Sequence, residues 1–118
     1  MIQLQRWMDS RRILVVDELG HGSVQVCIPD ADVEDNRFRG KADALVYALW
    51  VDEPFRGRGV ARRLLEAAER EARQQGCRSL AIEWDIRESP EWVERWYARL
   101  GYDEREFGRE CSMMVKRF

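Results

Sequence analysis

The six residues Arg56-Gly57-Arg58-Gly59-Val60-Ala61 have the composition of an anion cradle. They follow the apolar run Ala44 to Val51, closed by Asp52-Glu53-Pro54, and precede a stretch of helical periodicity from Val60 to Gln75. A strand therefore runs into a glycine-bearing loop, and the loop opens a helix. Such a helix start leaves backbone N–H groups without acceptors and adds the positive end of the helix dipole. Phosphate is the usual anion at such a place. Gly57 and Gly59 let a ligand approach the backbone, and Arg56 and Arg58 supply charge for phosphate oxygens. The Lys-Ser/Thr ending of a nucleotide-triphosphate loop is missing. The third glycine of a dinucleotide loop is also missing, because Arg62 stands where a small residue would sit. An ordinary Gly/Arg-rich turn between strand and helix would have the same composition, so the loop alone leaves both readings open.

No other constellation competes. The cysteines Cys27, Cys77 and Cys111 and the single histidine, His21, have no metal-ligand spacing, so no metal is expected. They read as three reduced thiols and a surface turn histidine in Gly20-His21-Gly22.

The chain has 118 residues, enough for one domain (1–118) around one core. It is 45% hydrophobic and 36% charged. The net charge of -2 argues against a general nucleic-acid binder. No run is long enough to span a membrane, and Met1 to Asp9 does not read as a signal peptide. A cytoplasmic setting is the expectation.

The elements that must position the loop follow from periodicity. Ile13–Leu19 and Val24–Ile28 read as an antiparallel pair around Gly20–Ser23. Residues 29–41 read as a surface loop. Asp43–Asp52 reads as a strand buried on both faces. In the helix after the loop, Ala61, Leu64, Leu65, Ala68 and Ala72 form one apolar stripe. Glu66/Arg70 and Glu69/Arg73 are expected to pair on the wet face, and Gly76 to end the helix. Ser79–Ile86 is the next strand, parallel to the one before the loop. Ser89 is expected to cap a second helix, with Pro90 in its first turn. Trp92, Val93, Trp96 and Leu100 share a face of it, and Gly101 is its stop. Tyr102–Phe118 reads as one or two closing strands.

Two segments resemble those of the GNAT superfamily, the acyl-CoA-dependent N-acyltransferases. Arg56-x-x-Gly59-x-Ala61 resembles its Q/R-x-x-G-x-G/A loop. Trp96-Tyr97-Ala98-Arg99-Leu100-Gly101-Tyr102 resembles its aromatic-Tyr-x-x-x-Gly-aromatic segment. The likeness runs from Ala44 to the end, about two thirds of the chain. It implies an α/β (α+β) fold: a mixed twisted sheet in a single domain, with helices on both faces. It implies acetyl-CoA as cosubstrate, its pantetheine beside the backbone of Leu49 to Val51. The pyrophosphate would lie on Arg56, Gly57, Arg58, Gly59, Val60 and Ala61.

Glu83 stands where some members carry a Glu that takes the ammonium proton. Asp85 shares its face at period two. Tyr97 stands where the family's acid protonates the departing thiolate. Only Met1–Arg12 precedes the first clear strand, room for one short element rather than the family's strand and helices. Ser89-Pro90 occupies the place of a family Asn that contacts pantetheine. The resemblance implies acetyl transfer to a primary amine; the alternative it allows is a catalytically silent domain that binds acyl-CoA or a protein. A homodimer is expected, through the Cys111–Val115 strand or the face the missing helices leave bare.

Overall fold

A computed structural model describes residues 1–30, 42–87, 89–107 and 111–118. The surface loop expected over 29–41 lies outside them from residue 31 on, while Pro29 ends a strand. The strands are β1 (Ile2–Arg6), β2 (Ser10–Val16), β3 (Gly22–Pro29), β4 (Ala44–Val51), β5 (Ser79–Asp85), β6 (Asp103–Phe107) and β7 (Cys111–Arg117). The helices are α1 (Val60–Gln74), between β4 and β5, and α2 (Trp92–Arg99), between β5 and β6. All seven strands form one sheet in the order β1-β2-β3-β4-β5-β7-β6. Only β4 and β5 run parallel, as the intervening α1 crossover requires; every other neighbouring pair is antiparallel.

The core lies on one face of this sheet. Ile13 and Val15, Val24 and Val26, Ala44 and Val46, Leu80 and Ile82, and Met114 alternate onto that face. The α1 stripe joins the same cluster through Val60, Leu64, Leu65, Ala68 and Ala72. So does α2, through Tyr97 with Val93, Trp96 and Leu100. Both helices therefore pack on the same side, which corrects the expectation of helices on both faces. Leu80, Ile82 and Met114 continue the apolar surface that α1 covers, and α2 completes that cover. The opposite face has a smaller cluster of Leu45, Ala81, Met113 and Val115, to which the described residues contribute no helix.

Each helix stops as its glycine dictates. Gly76 has φ +91°, and the Cys77 and Gly76 amides donate back to the Ala72 and Arg73 carbonyls. Gly101 has φ +99°, with Tyr102 and Gly101 donating to Tyr97 and Ala98. These paired returns close the last turn of a helix when a glycine takes the left-handed conformation.

Four expectations need correction. Ser89 does not cap α2; Glu91 holds that position without a side-chain hydrogen bond, and the Ser89 amide donates to the Asp85 carbonyl. Glu69 does not pair with Arg73 on the wet face. It turns inward, accepts the Tyr102 hydroxyl at 2.9 Å and Lys116 Nζ at 3.2 Å, and so ties α1 to β7. Glu66 pairs with Arg62 rather than Arg70, at 3.1 Å. The strand Cys111–Val115 lies inside the sheet between β5 and β6, so it offers no edge to a second chain; among the described residues the outer strands of the sheet are β1 and β6.

The β2–β3 hairpin reaches under the glycine loop. Asp17 accepts the Leu19 and His21 amides on its side chain, which sets the turn. Gly22 then passes so close to β4 that a Cβ would lie 2.5 Å from the Trp50 carbonyl oxygen. Gly22→Ala should therefore destabilise the fold by about 1–3 kcal/mol, the usual cost of forcing atoms into a packed site. A urea midpoint unchanged from the parent would contradict this contact.

Candidate active site

The site is built around a defect in β4. Between Ser23 and Gln25 on β3 the register advances two residues, while on β4 it advances three, from Trp50 to Tyr47. The extra residue is a bulge. Ala48 lies inside it with φ +54°, the sole non-glycine residue in positive φ among the described residues. Left-handed backbone is costly for any residue with a Cβ and persists where the surroundings enforce it. The parallel ladder with β5 covers only Ala44–Leu80, Leu45–Ala81 and Val46–Ile82. Beyond Val46 the two strands part. Among the described residues the edge of β4 that faces β5 then has no strand partner, just where backbone from Leu49 to Val51 was expected to serve pantetheine. A strand buried on both faces was expected along all of β4. Burial on both faces holds for Ala44–Val46, after which Ala48 and Trp50 are exposed.

The opening leads to the start of α1. A short 3-10 turn, Glu53–Phe55, brings the chain round, and Gly57 and Gly59 follow with φ +77° and +81°. Gly59 holds the N-cap position and provides no side-chain cap. The first backbone return is from the Arg63 amide to the Gly59 carbonyl at 3.1 Å, so the Val60, Ala61 and Arg62 amides precede the helical ladder. A Cβ at Gly57 would meet nothing within 4 Å. The cradle is open, uncapped and flanked by arginines, the features of a helix start that binds anions.

The two loop arginines are not equivalent. Arg56 Nε donates to the Val51 carbonyl at 2.9 Å, and its guanidinium lies 4.6 Å from the Trp50 ring centroid. It holds the loop against the strand, and it occupies one of the Val51 backbone acceptors. Arg58 is exposed, 6.0 Å above the Phe55 ring. His21 stacks flat on Phe55 with ring centroids 3.4 Å apart. This histidine is half-buried beneath the loop, a support the surface-turn reading did not foresee.

Glu83 and Tyr97 lie on opposite faces of the sheet. On β5, Leu80, Ile82 and Trp84 turn to the helical face, so Ala81 and Glu83 turn to the other. Tyr97 comes from α2 on the helical face, its ring centroid 5.2 Å from Trp84, 5.3 Å from Trp96 and 6.1 Å from Tyr102. Trp84, to which the sequence assigned no role, is the wall that seats Tyr97. Asp85 belongs to the turn after β5, where its side chain accepts the Arg87 amide at 2.8 Å. Among the described residues no cluster of three or more His, Cys, Asp or Glu forms a metal site.

Burial pushes the Tyr97 hydroxyl up to about 12, and burial with the nearby Glu69 carboxylate pushes Tyr102 up as well. Tyr97 is therefore a neutral donor across all physiological pH. The consequence for stability has a definite sign. Above the unfolded value near 10 the unfolded chain ionises while the folded chain keeps its proton. Stability is full below pH 10 and falls as pH rises toward 12. Ultraviolet titration should show the Tyr97 phenolate only at that alkaline extreme or on unfolding; its appearance near pH 10 in folded protein would contradict the burial.

The site thus combines a mixed sheet, a bulged fourth strand, a parted parallel pair and an uncapped glycine-loop helix. The profile of the acetyltransferase (GNAT) family matches residues 5–102. The chain belongs to that family. It is 35% identical over 74 residues to an uncharacterized N-acetyltransferase of Methanocaldococcus jannaschii, a match over 63% of this chain and 32% of that one. It thus spans about a third of the length of that curated relative. A solved acetyltransferase from Bacillus cereus superposes with TM-score 0.62 at 21% identity, covering 93% of this chain and 74% of that one. The PaiA N-acetyltransferase from Thermoplasma acidophilum, solved with coenzyme A, superposes with TM-score 0.66 at 13% identity, covering 93% and 62%. No helix among the described residues is long and apolar enough to cross a membrane.

Proposed function

We propose that this chain transfers an acetyl group from acetyl-CoA to a primary amine within one ternary complex. The observation that carries the reading is the parted β4–β5 pair, beyond which the chain of β4 leads to the uncapped start of α1. In this reading the amides from Gly59 to Arg62 and Arg58 hold the pyrophosphate. The unpaired edge of β4 around Leu49 holds the pantetheine. The amine enters on the helix-free face and gives its ammonium proton to Glu83, which passes it to water. The amine nitrogen then bonds to the carbonyl carbon as the carbon–sulfur bond breaks. The sulfur leaves toward the helical face, where Tyr97 gives it a proton, and solvent restores the phenol. The second amine proton goes to solvent, so each turnover releases one net proton. Alignment of amine and thioester in one cleft is itself worth several kcal/mol of barrier. A cytoplasmic setting, with no nucleic-acid or membrane partner, belongs to the same proposal.

Thiol release from acetyl-CoA, screened against polyamines, amino acids and lysine peptides, tests it. Glu83→Gln should lower turnover near neutrality by roughly a hundredfold, as loss of a general base does. Acetyl-CoA binding without any transfer to this panel would favour the silent, ligand-binding domain, the reading that the helix-free face supports.

A further inference from the structure

Arg12 does something unusual on the helix-free face. It rises from β2 into a slot between two rings, with its guanidinium 4.9 Å from the Trp7 centroid and 5.7 Å from that of Tyr47. Its Nε donates to the Ser10 hydroxyl at 3.1 Å, and its Nη1 donates to the Tyr47 hydroxyl at 2.7 Å. Tyr47 in turn donates to Gln25 Oε1 at 3.0 Å. The guanidinium is thus oriented from two sides by hydroxyl groups. The Ser10 hydroxyl itself donates to Asp9 Oδ1 at 3.2 Å, so the Asp9 carboxylate acts on Arg12 through it without pairing directly. Among the described residues no carboxylate lies within ion-pair distance of it, although Arg6, Arg62 and Arg87 all have acidic partners. A partly buried, pre-oriented cation that retains donors is well suited to accept a carboxylate from outside.

Its place in the sheet gives it meaning. Tyr47 is the last β4 residue before the bulge, and it follows Val46, the last β4 residue paired with β5. Glu83 follows Ile82, the partner of Val46, and shares the helix-free face with Tyr47. Tyr47 and Glu83 therefore stand on either side of the point where the strands part. Arg12 lies just beyond Tyr47. Three strand spacings, roughly 14 Å, separate the backbones of β2 and β5, and the Arg12 side chain spans part of that distance as it reaches Tyr47 on β4.

We propose that Arg12 is the carboxylate-binding residue of the acceptor site. The acceptor is then a small amine that has its own carboxylate several bonds away, an ω-amino acid or a short peptide. This inference rests on the acetyl-transfer reading for which end of the acceptor reacts. Its own content, an anion subsite at Arg12, can be read separately. Trp7 and Tyr47 fix the guanidinium so that little freedom is lost when a carboxylate docks. A diamine of the same length would place a second cation against Arg12 and be rejected.

The test uses the full chain loaded with CoA. Melting temperature is measured with 4-aminobutyrate and glycylglycine, each against its carboxamide, and thiol release from acetyl-CoA is followed with the same four amines. The carboxylates should raise the melting temperature and react with kcat/KM at least tenfold above the carboxamides. Arg12→Gln should abolish both preferences, chiefly by raising KM, and keep the acetyl-CoA melting shift. Arg12→Lys should retain part of the preference. Carboxylates and carboxamides that behave alike in the parent protein overturn the Arg12 assignment, and this comparison holds even if Arg12→Gln fails to fold. Arg12-dependent binding of carboxylates with no thiol release supports the anion subsite and overturns acetyl transfer. Thiol release with no carboxylate preference does the reverse.

Discussion

Tyr97→Phe should lower turnover by about a hundred- to ten-thousandfold, the range expected when a positioned proton donor is removed. The ring stays, so the contacts with Trp84, Trp96 and Tyr102 stay, and α2 keeps its seat. Acetyl-CoA affinity should change little, because the hydroxyl acts on sulfur only as the carbon–sulfur bond breaks. The pH profile adds a second check. With Tyr97 pushed up to about 12, the parent should show no loss of activity from phenol ionisation as pH passes 10. A Tyr97→Phe enzyme with full turnover would show that sulfur leaves without help from this residue, and that Tyr97 serves packing alone.

Gly59→Asp should abolish acetyl-CoA binding. Three effects act together at this position. The φ of +81° is strained for any side chain, a new Cβ would stand 3.3 Å from Arg63 Nη1, and the new carboxylate would face the site proposed for pyrophosphate. Aspartate is a good cap in general, and it would satisfy amides that the ligand needs. In the parent, acetyl-CoA at a hundredfold excess over its dissociation constant should add about 2.7 kcal/mol to folding stability, seen as a rise in melting temperature. The variant should show no rise. A folded Gly59→Asp protein with the parent's shift would place the cofactor elsewhere.

The loop and both helices were legible because their signals are local. Arg56 to Ala61 combines glycine freedom with a helix start, and the stripe from Leu64 to Ala72 has the helical period. Glycines 76 and 101 stop the helices where the chain needs left-handed backbone. The bulge was not legible. Ala48 has no composition that marks it, and the register shift arises from pairing with β3 and from the close passage of Gly22. The sides taken by the helices were equally hidden, since an apolar stripe shows that a helix packs and not on which face. Glu69 misled for a related reason. The i,i+4 rule pairs it with Arg73, but Tyr102 and Lys116, 33 and 47 residues away in sequence, reach it first. Arg12, Trp7 and Tyr47 are also scattered along the chain and meet only across β1 to β4, so no spacing announces them.

In the proposed reaction the gap between β4 and β5 receives pantetheine while the start of α1 receives the phosphates. Titration calorimetry of the full chain with acetyl-CoA, set against adenosine 3′,5′-diphosphate, tests it most directly. The diphosphate probes anion binding without a pantetheine arm. One acetyl-CoA site per chain is expected, with affinity at least tenfold above that of the diphosphate, because the arm pairs with the free edge of β4 (about 1.4 kcal/mol for each tenfold). Equal affinities, or no heat with either compound at millimolar concentration, would contradict it.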